Sequence, residues 1–169
     1  MQKGTDIDGA VEPDSVRGDH EKDAENPREE GRMKVSFEKP PVWDEAGKVF
    51  PLDGRYGVVF TYGDTLYNPW KVQIPTDLRV HEEEHMRQQG GTDEGAKAWW
   101  DRYLSDKAFM VEQEAEAYAA QYAFVCGVVK DRNKRVREMR QLAQMLSGEL
   151  YGNAVSLAEA ERAIRANLV

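Results

Sequence analysis

Large apolar side chains are unevenly distributed along the chain, and their spacing changes character twice. Residues 1–36 (MQKGTDIDGAVEPDSVRGDHEKDAENPREEGRMKVS) hold very few of them among many Asp, Glu, Gly and Pro. Such a stretch cannot bury enough surface to offset the entropy of ordering it, so it is predicted to be a flexible acidic tail preceding one domain over 37–169. Between Val42 and Ile74 come short runs rich in aromatic and β-branched residues, such as Tyr56-Gly-Val-Val-Phe-Thr-Tyr62, broken by Gly63-Asp64 and Asn68-Pro69. These predict a small antiparallel sheet, with Lys71-Val-Gln-Ile74 as a further short strand stopped by Pro75.

From Thr76 onward the period becomes helical. Thr76 or Asp77 is the expected N-cap of a first helix that ends at Gly90-Gly91. Further helices are predicted over 94–104, 106–129 and 131–150. A last one follows Ser156, where Ser156-Leu-Ala-Glu159 has the form of a capping box. The expected class is α+β: a small antiparallel sheet packed on a mainly helical domain.

The first helix carries His81-Glu82-Glu83-Glu84-His85, an H-E-x-x-H pattern. Residues four apart on a helix lie on the same face one turn apart, so two imidazoles can grip one ion. Only three histidines occur in the chain, and two are these. They also share a helix face with Leu78 and Gln88, the side where an amphipathic helix would carry its core residues. A catalytic zinc takes three protein ligands and leaves a fourth position open for water, and the glutamate after the first histidine is placed to take that water's proton. Glu82 is the candidate base.

A third ligand must come from elsewhere. Glu112, Glu114 and Glu116 lie on the third helix, where Val111, Ala115, Tyr118, Tyr122, Val125 and Val129 define an apolar stripe. At about 100° per residue, Glu114 falls roughly 60° from the stripe's centre, and Glu112 and Glu116 roughly 100° and 140°. Glu114 alone points near the interior, where a carboxylate is costly unless it is paired or bound to metal.

Composition narrows the field. The formal charge of −8 and pI near 5.0 argue against nucleic acid as main partner, because phosphate neutralisation needs a clustered positive surface. The one basic run, Lys130 to Arg140, contains Asp131 and Glu138 and reads as a solvated helix face. A single cysteine, Cys126, leaves no internal disulfide or multi-thiolate site, so a metal would use histidine and carboxylate. No stretch approaches a membrane span, and the opening MQKGTDIDGA has no apolar core of a signal peptide, so a cytoplasmic location is expected.

The H-E-x-x-H followed by Glu114-Ala-Glu-Ala-Tyr118 resembles the gluzincin class of zinc peptidases, whose third ligand is a glutamate in an E-x-x-x-D type segment. More narrowly, His81-Glu-Glu-Glu-His-Met-Arg-Gln-Gln89 with Trp99, Tyr103 and the Glu-Ala-Glu-Ala-Tyr run is similar to small peptidase-like proteins encoded by tailed bacteriophages and prophages, over about residues 55 to 125. The resemblance implies a zincin-like domain with one zinc held by His81, His85 and Glu114, Glu82 as general base, and a peptide or protein substrate. It also implies that a strand edge within Tyr56 to Ile74 holds the substrate backbone, and that an oxyanion-stabilising donor exists, for which Tyr151 and Tyr122 are candidates. Tyr118 departs from the pattern, standing where many gluzincins have an aspartate beside the first histidine; a phenol brings no fixed negative charge to raise imidazole basicity. Trp99, Trp100, Tyr103 and Phe109 read as core and cover for the site.

Two functions follow. One is a zinc peptidase in a bacterial host cell. The other is a structural or adaptor component of a phage virion that keeps the fold, with the acidic tail as docking segment for a particle protein. An intact Glu82 favours the enzyme, since a structural zinc site needs no base beside its ligand.

Overall fold

The computed structural model describes residues 32–52, 54 and 56–168. The expected tail therefore lies outside the described residues except for its last five positions. Those carry the first strand, β1 (Lys34–Ser36), behind a buried Met33.

A single helical turn, α1 (Trp43–Ala46), precedes the hairpin β2 (Phe60–Tyr62) and β3 (Thr65–Tyr67). Then follow α2 (Thr76–Gln88), α3 (Asp93–Ser105), α4 (Lys107–Val128), α5 (Arg132–Leu146), a 3₁₀ turn at Glu149–Tyr151, and α6 (Leu157–Ala166). The class is α+β, as expected. The hairpin is antiparallel, with Tyr62 opposite Thr65, but β1 joins the outer side of β3 in parallel, so the sheet as a whole is mixed.

The hairpin turns at Gly63-Asp64, with φ of +61° at Gly63. A side chain there would be strained, and its Cβ would stand 2.8 Å from Asp93 Oδ1. The strand expected at Lys71–Ile74 does not form. Lys71 takes φ +54°, and Asn68 clasps Val72 instead: its Nδ2 donates to the Val72 carbonyl at 2.8 Å and its Oδ1 accepts from the Val72 N–H at 2.9 Å. Both groups that a neighbouring strand would have paired are thereby satisfied. Likewise only Phe60–Tyr62 of the expected Tyr56–Tyr62 strand pairs, because Gly57 turns the chain at φ +57°.

The helices start largely where side-chain oxygens cap them. Asp106 accepts from Ala108 and Phe109 N–H, Asp131 from Asn133 and Lys134 N–H, and Ser156 with Glu159 completes the capping box. In α2 the cap position falls on Pro75, one residue before the expected Thr76, and Asp77 serves instead to accept from Gln121 Nε2 on α4 at 2.8 Å. The helix expected to reach Leu150 ends at Leu146, and a 3₁₀ turn takes over.

Trp99, Trp100, Tyr103, Met110, Leu142, Leu146 and Ile164 belong to one core shared by α3 to α6 and the hairpin. Helix α2 packs most extensively on α4, and the hairpin rests on α2 between Glu82 and Gln89. No helix among the described residues is long and apolar enough to cross a membrane.

Candidate metal centre

Helix α2 turns three ionisable residues inward. His81, Glu82 and His85 are 4%, 5% and 6% exposed, and facing them from α4 is Glu114, 3% exposed. His81 Nε2 and His85 Nε2 lie 3.1 Å apart; His85 Nε2 is 3.3 Å from Glu114 Oε1, and His81 Nε2 is 3.5 Å from Glu114 Oε2. These three residues form a buried group that could hold a metal ion.

Their separations fit such an ion. Ligand atoms about 2.0–2.1 Å from a tetrahedral zinc stand roughly 3.3–3.4 Å from one another, close to the 3.1 Å between the two imidazole nitrogens and to the 3.3 and 3.5 Å at which one Glu114 oxygen faces His85 and the other His81. Charge fits as well. Glu114 and Glu82 bring two carboxyl groups into this buried site, and a divalent cation taking the place of the proton on His85 would supply the compensating charge.

The three candidate glutamates separate cleanly. Glu112 is exposed; Glu116 is half-buried and accepts from Gln88 Nε2 at 3.0 Å; only Glu114 reaches the histidines. Glu114 is the one of the three that turns inward, as the helical phase predicts, but the buried face of α4 is centred nearer Glu114 than the apolar stripe implied. It runs through Met110, Glu114, Ala117, Tyr118, Gln121 and Val125, while Val111 and Tyr122 sit half-buried. Glu114 and Gln121 share that face with apolar residues, which an apolar stripe alone does not register.

Each of the three residues has its own surroundings. His85 Nδ1 lies 2.8 Å from Gln88 Oε1. Gln88 Nε2 is committed to the Gln113 carbonyl and to Glu116, so Oε1 is an acceptor and His85 Nδ1 must carry the hydrogen, which turns Nε2 toward the ion position. His81 Nδ1, by contrast, is buried without a hydrogen-bond partner. The Tyr118 ring packs edge-on at 4.5 Å between centroids, and its hydroxyl is directed to Tyr151 at 3.1 Å. The Tyr118 oxygen therefore does not take the place of the aspartate that the resemblance puts beside the first histidine.

Glu114 is held by two phenols, one read from the sequence as core and the other as a candidate oxyanion donor: Tyr103 OH donates to Oε1 at 2.5 Å, and Tyr151 OH donates to Oε2 at 2.7 Å. Burial favours the neutral acid at Glu114, but the His85 charge and hydrogen bonds from both histidines outweigh it and keep the carboxyl well below its ordinary range. Burial likewise opposes charge on His85, yet the adjacent Glu114 carboxylate raises it to about 9. Burial, reinforced by Glu114, pushes the Tyr103 and Tyr151 phenols well up, so both remain donors.

Glu82 occupies the same chamber. Thr61 Oγ1 on β2 donates to Glu82 Oε2 at 2.8 Å. Thr61 is fixed in turn by its carbonyl, which accepts from Gln89 Nε2 at 2.9 Å and Trp100 Nε1 at 3.0 Å, so the hairpin is pinned where it meets α2. Burial drives the Glu82 carboxyl upward, against the opposing pull of the histidines and the Thr61 hydroxyl.

His81, Glu82, His85, Glu114, Tyr103, Tyr118 and Tyr151 all line one cavity of about 160 Å³, with Phe50, Val58, Leu78, Met145 and Leu150 as apolar wall. Residues Tyr56 to Thr61 form one side of it, so the upstream segment expected near the substrate does border the site. Of the two tyrosines considered as oxyanion donors, Tyr151 lines this cavity and Tyr122 does not. Trp99 covers His85 at 5.4 Å between centroids, and its Nε1 donates to Gln113 Oε1.

Thr61 and Gln88 were not singled out from sequence as partners of the site. Gln88 left a local trace, three residues after His85 on the same helix face; Thr61 left none, because its role depends on how the hairpin docks. Comparison with protein-family models, with curated proteins and with solved structures found no match.

Proposed function

We propose that this chain is a zinc-dependent peptidase in which His81, His85 and Glu114 hold the ion and Glu82 is the general base. The observation that supports this most is the position of Glu82: a buried carboxylate, oriented by Thr61, lining the same cavity as the three candidate ligands. A site built only to stiffen the fold has no use for it.

Zinc held there would polarise a carbonyl oxygen and lower the pKa of water in the cavity. Glu82 accepts the proton of the attacking water and returns it to the departing amine nitrogen. Its upward-shifted carboxyl suits a group that must take and give a proton near neutral pH. The apolar wall excludes bulk water and presents a surface for an apolar side chain, and the choice of a peptide bond rests on the H-E-x-x-H resemblance.

The test is digestion of a mixed peptide library by zinc-loaded protein and by Glu82→Gln, with zinc content measured in both. Cleavage by the wild type, loss in the variant and equal zinc in each is the expected result. Equal zinc with no cleavage by either would turn the reading to a scaffold that keeps the site without the reaction.

A further inference from the structure

We propose that Tyr103 and Tyr151 are positioning residues for the metal, clamping the two oxygens of Glu114 in the orientation from which the carboxylate meets the ion beside His81 and His85. This rests on the metal-binding reading above.

The two phenols come from separate parts of the chain, Tyr103 from α3 and Tyr151 from the 3₁₀ turn after α5. They divide the carboxylate between them. Tyr103 holds Oε1, the oxygen facing His85, and Tyr151 holds Oε2, the oxygen facing His81. A carboxylate oxygen has two lone-pair directions, so each can accept from its phenol and still offer a pair toward the ion position. Rotation of a carboxylate about its last bond is otherwise soft. One donor on each oxygen removes that freedom before any ion arrives.

The direction of the hydrogen bonds follows from donor counting. Glu114 accepts only, so the single proton of Tyr151 is used on Oε2. The Tyr118 hydroxyl, 3.1 Å from Tyr151, must then be the donor of that pair. Tyr118 therefore acts on Glu114 at one remove, and chains of this kind strengthen their terminal bond. The arrangement also explains how the site manages without a carboxylate behind His81: the ordering that second partners ordinarily supply to imidazoles is supplied here to the glutamate.

The alternative is that the phenols merely satisfy a buried carboxylate. Metal titration separates the two, using the full chain with Co²⁺ and Zn²⁺ as probes and following affinity and the visible Co²⁺ spectrum. Phenylalanine keeps the ring packing, including Tyr103 stacked on Trp99 at 4.5 Å. Tyr103→Phe and Tyr151→Phe are each expected to weaken metal binding about 10- to 100-fold and to alter the Co²⁺ spectrum, as loss of an outer partner does elsewhere. Tyr118→Phe, removing a hydroxyl that does not touch Glu114, is expected to have a smaller effect than Tyr151→Phe.

Unchanged affinity and an unchanged spectrum in Tyr103→Phe and Tyr151→Phe would overturn the clamp, whatever happens to stability, and leave the metal site standing. A wild-type chain that takes up neither ion would overturn both. If one variant does not fold, the other decides, since the clamp requires each hydroxyl separately.

Discussion

Helices α2 and α5 are both crowded with charge, yet they treat it in opposite ways. On α5, Arg132, Lys134, Arg137 and Arg140 are exposed, while Met139, Leu142, Ala143 and Leu146 face the core. On α2 the outer face carries Arg79 paired with Glu83 and Arg87 paired with Glu84, but the inner face consists of His81, Glu82 and His85. The first is a solvated helix with an apolar seam. The second buries the groups that are most expensive to bury. The difference lies in what meets each face: apolar neighbours for α5; the Glu114 carboxylate and the Thr61 hydroxyl for α2. Charge density alone does not say which face of a helix is inside; the presence of partners does.

The largest effect expected from breaking this contrast is at Glu114. Its replacement by Ala strands Tyr103 and Tyr151 hydroxyls and two buried imidazoles, at a cost of about 3–5 kcal/mol in chemical denaturation of the metal-free protein. A stabilised variant would mean that α2 does not depend on its partner. On α5 the corresponding disruption is apolar. Leu142, 2% exposed, should cost about 2–5 kcal/mol on truncation to Ala, with metal affinity of the folded fraction unchanged.

These effects bear on what was legible beforehand. The inward placement of His81, His85 and Glu114 is legible because helical periodicity is local: spacing within one helix fixes which residues share a face. The capping box at Ser156 was legible for the same reason. Lys71–Ile74 had strand composition, but Asn68 captured its backbone, a side-chain choice that alternation does not register. Tyr151 and Thr61 reach the site only through packing of distant segments, and Tyr103 reads as core because a phenol that is merely buried and one that donates to a buried carboxylate have the same apolar signature.

Smaller effects sharpen the comparison. Gln88→Ala removes the acceptor that orients His85, and zinc affinity is expected to fall about 10- to 100-fold without loss of folding. The histidine itself imposes a pH dependence. Glu114 holds His85 protonated up to about 9, so an ion must displace that proton, and apparent affinity should climb with pH by up to about tenfold per unit until about 9 and then level off. Isothermal titration in buffers of different ionisation enthalpy would register the released proton; a flat profile from pH 6 to 9 would contradict the assignment. At the low end, Arg137→Ala on the exposed face of α5 should change stability by no more than about 0.5 kcal/mol and leave zinc uptake untouched.

The most direct measurement is zinc stoichiometry together with X-ray absorption at the zinc edge for the purified chain. The account predicts one zinc per chain with two imidazoles and a carboxylate among its ligands, and loss of that signature in His81→Ala. Absence of bound zinc after loading, or a zinc environment indifferent to His81, would contradict it.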